Sequence, residues 1–251
     1  MLRPRNLAIA ACIFALGAVL AQAQDDELKT VLRKAIQAHG GEQNLRKSKG
    51  IVSKFKGTIE VLGKMREMNG EVTLLMPDKV KNTLTFDFDG KEIPVVVVFN
   101  GKQMWRSVLG KTEEITDEKV LDETRDSLRV EAATSLPDYL KAPYKLAAVG
   151  EAKVKGKDAV GIRISKEGQR DITFYFDKTT HLLVKSEMRV YDPETKQEVN
   201  QEKYILDYRD SNGLKTAKRI AIEKDGKANA ELEITDTKTY EKLEDSNFAM
   251  P

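Results

Sequence analysis

The chain has 251 residues, 33% of them charged and 40% hydrophobic, with 42 Lys and Arg against 40 Asp and Glu. One cysteine and two histidines exclude a disulfide scaffold and most cysteine- or histidine-based metal sites. The near-neutral balance shows no clustered basic patch, which excludes a nucleic-acid partner.

The chain opens on MLRPRN, with Arg3 and Arg5, and then runs apolar from Leu7 to Leu20. Ala21-Gln22-Ala23 follows, an A-x-A site, so residues 1–23 read as a secretory signal peptide cut after Ala23. The apolar stretch is shorter than the roughly 20 residues of a membrane-spanning helix. Ile9-Ala10-Ala11-Cys12 offers a rival lipobox, but it would leave only about five apolar residues before the cut, against the roughly 7–15 of a signal core. Removing residues 1–23 takes Arg3, Arg5 and Cys12 but no acid, which leaves 40 bases against 40 acids and no cysteine. The mature chain, 24–251, is expected to be a single periplasmic domain held together by core packing alone.

The first predicted element is a helix from Asp25 to His39. Leu28, Val31, Leu32, Ala35 and Ile36 form one apolar stripe, and Gly40-Gly41 ends it. His39 falls at its C-terminus, where a cation would favour the helix dipole.

Period-two alternation then dominates. It is seen in Val72/Leu74/Met76, Leu84/Phe86/Phe88, Ile162/Ile164, Ile172/Phe174/Phe176, Leu182/Val184, Tyr204/Leu206/Tyr208, Ile220/Ile222 and Leu232/Ile234. Each has one dry and one wet face, as in an antiparallel sheet. Asn69-Gly70, Asp89-Gly90, Asn100-Gly101, Asn212-Gly213 and Asp225-Gly226 are predicted as hairpin turns, since these pairs tolerate positive φ. A second helix is predicted from Asp117 to Leu136, with Val120, Leu121, Thr124, Leu128 and Ala132 on one side. Thr116 or Asp117 would cap it, and Pro137 would end it.

The segment PVVVVFNGKQMWR, residues 94–106, stands apart because both of its faces are apolar. A two-residue turn at Asn100-Gly101 would place Val96 opposite Trp105 and Val97 opposite Met104. One face would then carry Val96, Val98 and Trp105, predicted to look into a cavity. The other, with Val95, Val97 and Met104, would lie under the N-terminal helix.

Chemistry-bearing patterns are few. Ser53-Lys54-Phe55-Lys56 matches S-x-x-K, but no K-T-G accompanies it and Ser53 sits in a strand pattern. Asp87-Phe88-Asp89-Gly90 is half an EF-hand loop, but Val96 stands where the closing glutamate belongs, so a hairpin turn is expected. His181, after Thr179-Thr180, also reads as a turn residue. Neither histidine is expected to be needed for folding or binding. No catalytic residue, metal ligand or cofactor site is predicted.

Four stretches resemble the periplasmic outer-membrane lipoprotein carrier and sorting family. VVVVFNGKQMWRSVLGKTEEI (95–115) is similar to that family's central hairpin, and YFDKTTHLLVKSEMRV (175–190) to its later hairpin. LEDSNFAMP (243–251) resembles its closing D-x-x-F-x-x-P, and AIQAHGGEQNLRK (35–47) the opening helix and turn of an exported subgroup. Two features depart from the pattern: Arg106 stands where an aromatic or aliphatic residue is usual, and the inserted segment 117–141 is long and charged. The resemblance implies a LolA/LolB-like α+β fold: an open half-barrel with a helical lid over an apolar cavity, and no enzymatic activity or cofactor.

The expected architecture is a single curved antiparallel sheet of about ten or eleven strands with an N-terminal helix and an inserted helical lid. The expected function is a non-enzymatic periplasmic carrier of a lipophilic ligand, such as lipoprotein acyl chains. Phe86, Phe88, Val96, Val98, Trp105, Phe174 and Phe176 would line the cavity, with Leu121 and Leu128 on the lid. Expected partners are a lipophilic ligand or acylated protein, and a transient contact with a membrane or membrane protein, the chain itself being a monomer. The alternative is an envelope structural or interaction module whose barrel is filled by its own side chains.

Overall fold

The computed structural model describes residues 25–131, 133–192 and 195–251. The predicted signal peptide, Cys12 and Ala132 lie outside the described residues.

Helix α1 spans 25–38. It ends as its glycines require, with Gly40 and Gly41 at φ 119 and 86 and the Gly41 N–H donating to Ile36 O at 2.9 Å. A short α2 (Glu42–Lys47) follows, and the rest is dominated by strands. The first meander is β1 (Gly50–Val61), β2 (Lys64–Leu75), β3 (Lys79–Phe88), β4 (Lys91–Phe99), β5 (Met104–Val108) and β6 (Lys111–Ile115). Helix α3 (Glu118–Glu131) and a 3-10 segment (Ala133–Leu140) cross to the second meander. That meander is β7 (Lys145–Val154), β8 (Lys157–Lys166), β9 (Gln169–Asp177), β10 (Leu183–Asp192), β11 (Gln197–Ser211), β12 (Leu214–Lys224) and β13 (Lys227–Tyr240). A 3-10 turn, Asp245–Phe248, lies near the end of the chain.

All thirteen strands form one sheet in the order β6-β5-β4-β3-β2-β1-β13-β12-β11-β10-β9-β8-β7. Every pairing is antiparallel, and β1 against β13 joins the two meanders. β6 and β7 are its two free edges, so the sheet is open. Thirteen strands replace the ten or eleven expected. The surplus is at the edges: β6 (KTEEI) and β7 (KLAAVGEAKV) are largely exposed and so carry little apolar alternation.

Turn chemistry accounts for four of the five predicted hairpin dipeptides. Asp89, Asn212 and Asp225 have φ of 57, 50 and 47, each followed by a positive-φ glycine. Asn69-Gly70 is instead inside β2, and the turn falls at Leu62-Gly63. Gly70 is needed there for close approach, since a Cβ on it would sit 2.4 Å from the Thr83 carbonyl oxygen.

The Asn100-Gly101 turn is wider than expected. Asn100 Oδ1 accepts the N–H groups of Lys102 at 3.0 Å and Gln103 at 2.9 Å, which opens the loop to residues 100–103. The register therefore moves by two: Trp105 pairs with Val98 and Met104 with Phe99. A shift of two preserves the side-chain parity, so the face composition stands as expected.

Helix α3 begins as predicted, with Asp117 Oδ1 accepting the Lys119 N–H at 2.9 Å. It stops at Glu131 rather than Leu136, and the chain runs on as the 3-10 segment with Pro137 inside it.

The inner face of the sheet is covered in two places. Leu28, Leu32, Ala35 and Ile36 of α1 bury against Ile162, Ile172, Phe174 and Phe176, and the 3-10 segment adds Leu136 and Tyr139. Each large apolar side chain so buried contributes about 1.5–3 kcal/mol. Over the other half, Leu121 and Leu128 of α3 pack on Leu74, Val80 and Phe99. Trp105 lies on the outer face with Val98, sealed by Phe248 and flanked by Val96 and Leu243. The hairpin at 94–106 is therefore apolar on both sides because α3 covers one face and the C-terminal segment the other. This corrects both expected covers, a cavity and the N-terminal helix.

Candidate ligand cavity

Between the region filled by α1 and the region lidded by α3 the inner face leaves a cavity of about 470 Å³. One wall is apolar and comes from β1 to β4, with Ile51, Phe55, Val72, Leu74, Val80 and Val97. Asn82 and the hydrogen-bonded pair Ser53–Thr237, 3.1 Å apart, interrupt it. Ile205, Ile220, Ile222, Leu232 and Ile234 make the floor, and α3 supplies Thr124, Ser127, Leu128 and Glu131 from above. A shallower groove of about 660 Å³ is lined mainly by side chains that alternate with the inward ones, such as Lys56, Thr58, Asn69 and Thr85.

Of the nine residues predicted to bind ligand, the structure brings only Leu128 to this cavity. Leu121 is buried one helical step away, under α3. Phe174 and Phe176 lie in the core that α1 fills. Phe86 and Phe88 lie on the same strand face as the cavity residues Val80 and Asn82 but beyond the cavity, their rings 6.4 Å apart and Arg66 over the Phe88 ring at 5.0 Å. Val96, Val98 and Trp105 belong to the outer face.

Several cavity residues escaped the sequence reading. His39 is 1% exposed and lines the cavity from the end of α1. Its Nδ1 donates to Ala35 O at 2.8 Å, and its Nε2 lies 3.3 Å from the Tyr208 hydroxyl, which donates to Leu183 O at 2.7 Å. Burial pulls the His39 pKa below 6.5, only partly opposed by the Ala35 hydrogen bond, so the ring is neutral rather than the dipole-favoured cation expected. Burial likewise pushes the Tyr208 hydroxyl well above its ordinary range. His181 sits at φ 59 in the β9–β10 turn, as predicted.

The lid is tied down by charge. Arg170 of β9 pairs with Glu123 and Asp126 of α3 and with Glu198 of β11. Glu123 Oε2 also accepts the Tyr191 N–H at 2.6 Å, and Lys203 of β11 reaches Glu131 at 2.8 Å. Lys203, Ser186, Ser127 and Glu123 could have been found only by knowing which strands face α3. Among the described residues no three His, Cys, Asp or Glu side chains gather as a metal site, and no helix is long and apolar enough to cross a membrane.

An open antiparallel sheet with one helix and a second, inserted helix over its inner face defines a class of open half-barrel. No protein-family model matches the sequence, and no curated protein matches it. Solved structures do. A DUF1329 family protein from Desulfovibrio piger aligns with TM-score 0.55 at 14% identity, covering 88% of this chain and 97% of that one. A LolA superfamily protein from Nitrosomonas europaea aligns with TM-score 0.54 at 10% identity, covering 88% and 97%. A putative outer membrane lipoprotein-sorting protein domain from Vibrio parahaemolyticus aligns with TM-score 0.51 at 13% identity, covering 89% and 97%. The chain has the LolA/LolB-like fold.

Proposed function

We propose that this protein is a non-enzymatic periplasmic carrier or receptor for a lipophilic ligand, held between α3 and the inner face of the sheet. The observation that carries the reading is the cavity of about 470 Å³, walled by aliphatic side chains and roofed by α3. Its volume lies within the ~300–1,000 Å³ of small-molecule sites. The likeness to a lipoprotein-sorting domain supports a lipid or acylated protein as cargo, delivered by transient contact with a membrane or membrane protein. Export through residues 1–23 and a monomeric state belong to the same reading.

The polar groups around the cavity support a binding role. His39 spends Nδ1 on a backbone carbonyl, and Glu123 is held by Arg170 and a backbone N–H. The filled-barrel alternative describes the half under α1, where Phe174 and Phe176 are fully packed. It does not describe the half under α3.

The test is mass spectrometry of small molecules co-purifying with the exported protein, followed by probe titration of wild type and Val72→Phe. A bulky ring in the cavity wall should displace bound lipid while the protein stays folded. Lipid retained in full by that variant would move the site elsewhere and end this reading.

A further inference from the structure

The cavity has one contiguous polar corner between α3 and strands β10 and β11. Ser186 of β10 and Lys203 of β11 are direct cross-strand partners, and both line the cavity. Lys203 Nζ lies 2.8 Å from Glu131 Oε2 at the end of α3. One turn earlier Ser127 faces the same space, its hydroxyl donating to Glu123 Oε1 at 2.9 Å. Ser186 is only 4% exposed. Thr134 and Thr216, also on the cavity wall, carry buried hydroxyls with no hydrogen-bond partner among the described residues.

A pocket meant for bare hydrocarbon would be poorer for these polar groups, because unpaired buried hydroxyls such as those of Thr134 and Thr216 cost stability. The ionic groups, in contrast, are already matched: Lys203 with Glu131, and Glu123 with Arg170. An added charge would enter without a partner of its own. What remains open is neutral hydrogen bonding. Lys203 has N–H donors beyond the one given to Glu131, and the Ser186 hydroxyl can donate and accept. Opposite them stands the aliphatic wall of Ile51, Val72, Leu74 and Val80. At about 30 Å³ per water the cavity holds the equivalent of some fifteen waters, which is room for one chain rather than several.

Building on the carrier reading, we infer that the ligand is a single-chain neutral amphiphile with an acceptor-rich head, of the acylglycerol kind. Its tail lies along β1–β4 and its head enters the Ser186–Lys203–Glu131 corner. This inverts the arrangement expected for an acylated protein, whose polar part must stay outside.

The experiment titrates the full mature chain with monolauroylglycerol, laurate and dodecane, probes that share a comparable tail. Monolauroylglycerol should bind tightest. Ser186→Ala, checked for folding by circular dichroism, should weaken that probe several-fold, up to about tenfold, and leave dodecane unchanged. Laurate or dodecane binding as tightly, or a preference untouched by Ser186→Ala, overturns the inference while leaving the carrier reading intact. Binding of no probe at all removes the carrier reading and this inference with it.

Discussion

The Arg170 guanidinium on β9 meets the Glu123 carboxylate on α3, and the same carboxylate accepts the Tyr191 N–H at 2.6 Å. One side chain of the lid is thus fixed to two neighbouring strands. Asp126 and Glu198 complete the network, so Arg170 contacts three acids at once.

Arg170→Met should leave the partly buried Glu123 without its cation, while Asp126 keeps Arg129 at 3.1 Å. The expected cost is about 2 kcal/mol, in the range for a hydrogen-bonded charge losing its partner. The loss should be concentrated in the lid. Hydrogen exchange should speed up across Glu118–Glu131 with little change in β10 to β13, and probe association should accelerate as the roof opens more often. Uniform acceleration throughout the sheet would show that the network holds the fold rather than the lid.

Trp105 and Phe248 form the second latch, on the other side of the sheet, with Val98 beneath them. Trp105→Ala and Phe248→Ala should each cost about 3–5 kcal/mol, as for a large aromatic removed from a packed site. Because Trp105 faces away from the cavity, its fluorescence should respond to Phe248→Ala and stay indifferent to lipophilic probes. A blue shift on titrating monolauroylglycerol would place the ligand on the outer face.

That contrast shows what can be read from residue order alone. Alternation and the Asp-Gly and Asn-Gly turns identify most strands, because those signals are local. Edge strands β6 and β7 bury too little to show a pattern. The hairpin at 94–106 is recognisably apolar on both faces, but the side that meets the cavity depends on where α3 and Phe248 come to rest, the latter more than a hundred residues further along the chain. Phe174 and Phe176 lie outside the cavity for the same reason: α1 occupies the volume they face. Ser186 and Lys203 look like ordinary alternating strand residues until β10 and β11 are placed under α3.

Two hairpin tips carry an avoidable strain. Leu62 and Leu109 sit at φ 53 and 51, each just before a glycine, and are 78% and 56% exposed. A leucine in the left-handed region costs roughly 1–2 kcal/mol relative to a residue that tolerates it. Leu62→Asn and Leu109→Asn should therefore each stabilise the protein by about 0.5–1 kcal/mol, seen as a higher urea midpoint at an unchanged slope. Destabilisation would mean that these leucines make a contact that the isolated chain does not show.

His39 supplies the clearest pH dependence. Its ring is buried, and desolvation lowers its pKa below the ordinary 6.5 despite the hydrogen bond to Ala35. The unfolded chain then binds a proton that the folded one refuses, so stability rises with pH across this window. The contribution is complete above 6.5 and is lost progressively as the pH falls towards the lowered folded value. Contrary to expectation from the sequence, His39 should matter for stability, since its replacement also vacates packing against Tyr208, 5.7 Å away ring to ring. Urea midpoints between about pH 7.5 and about pH 5 should fall steeply in the wild type. In His39→Gln, less stable at the upper end, the curve should be flatter, because the group that titrates is gone. A parallel pair of curves would assign the acid sensitivity to carboxylates instead.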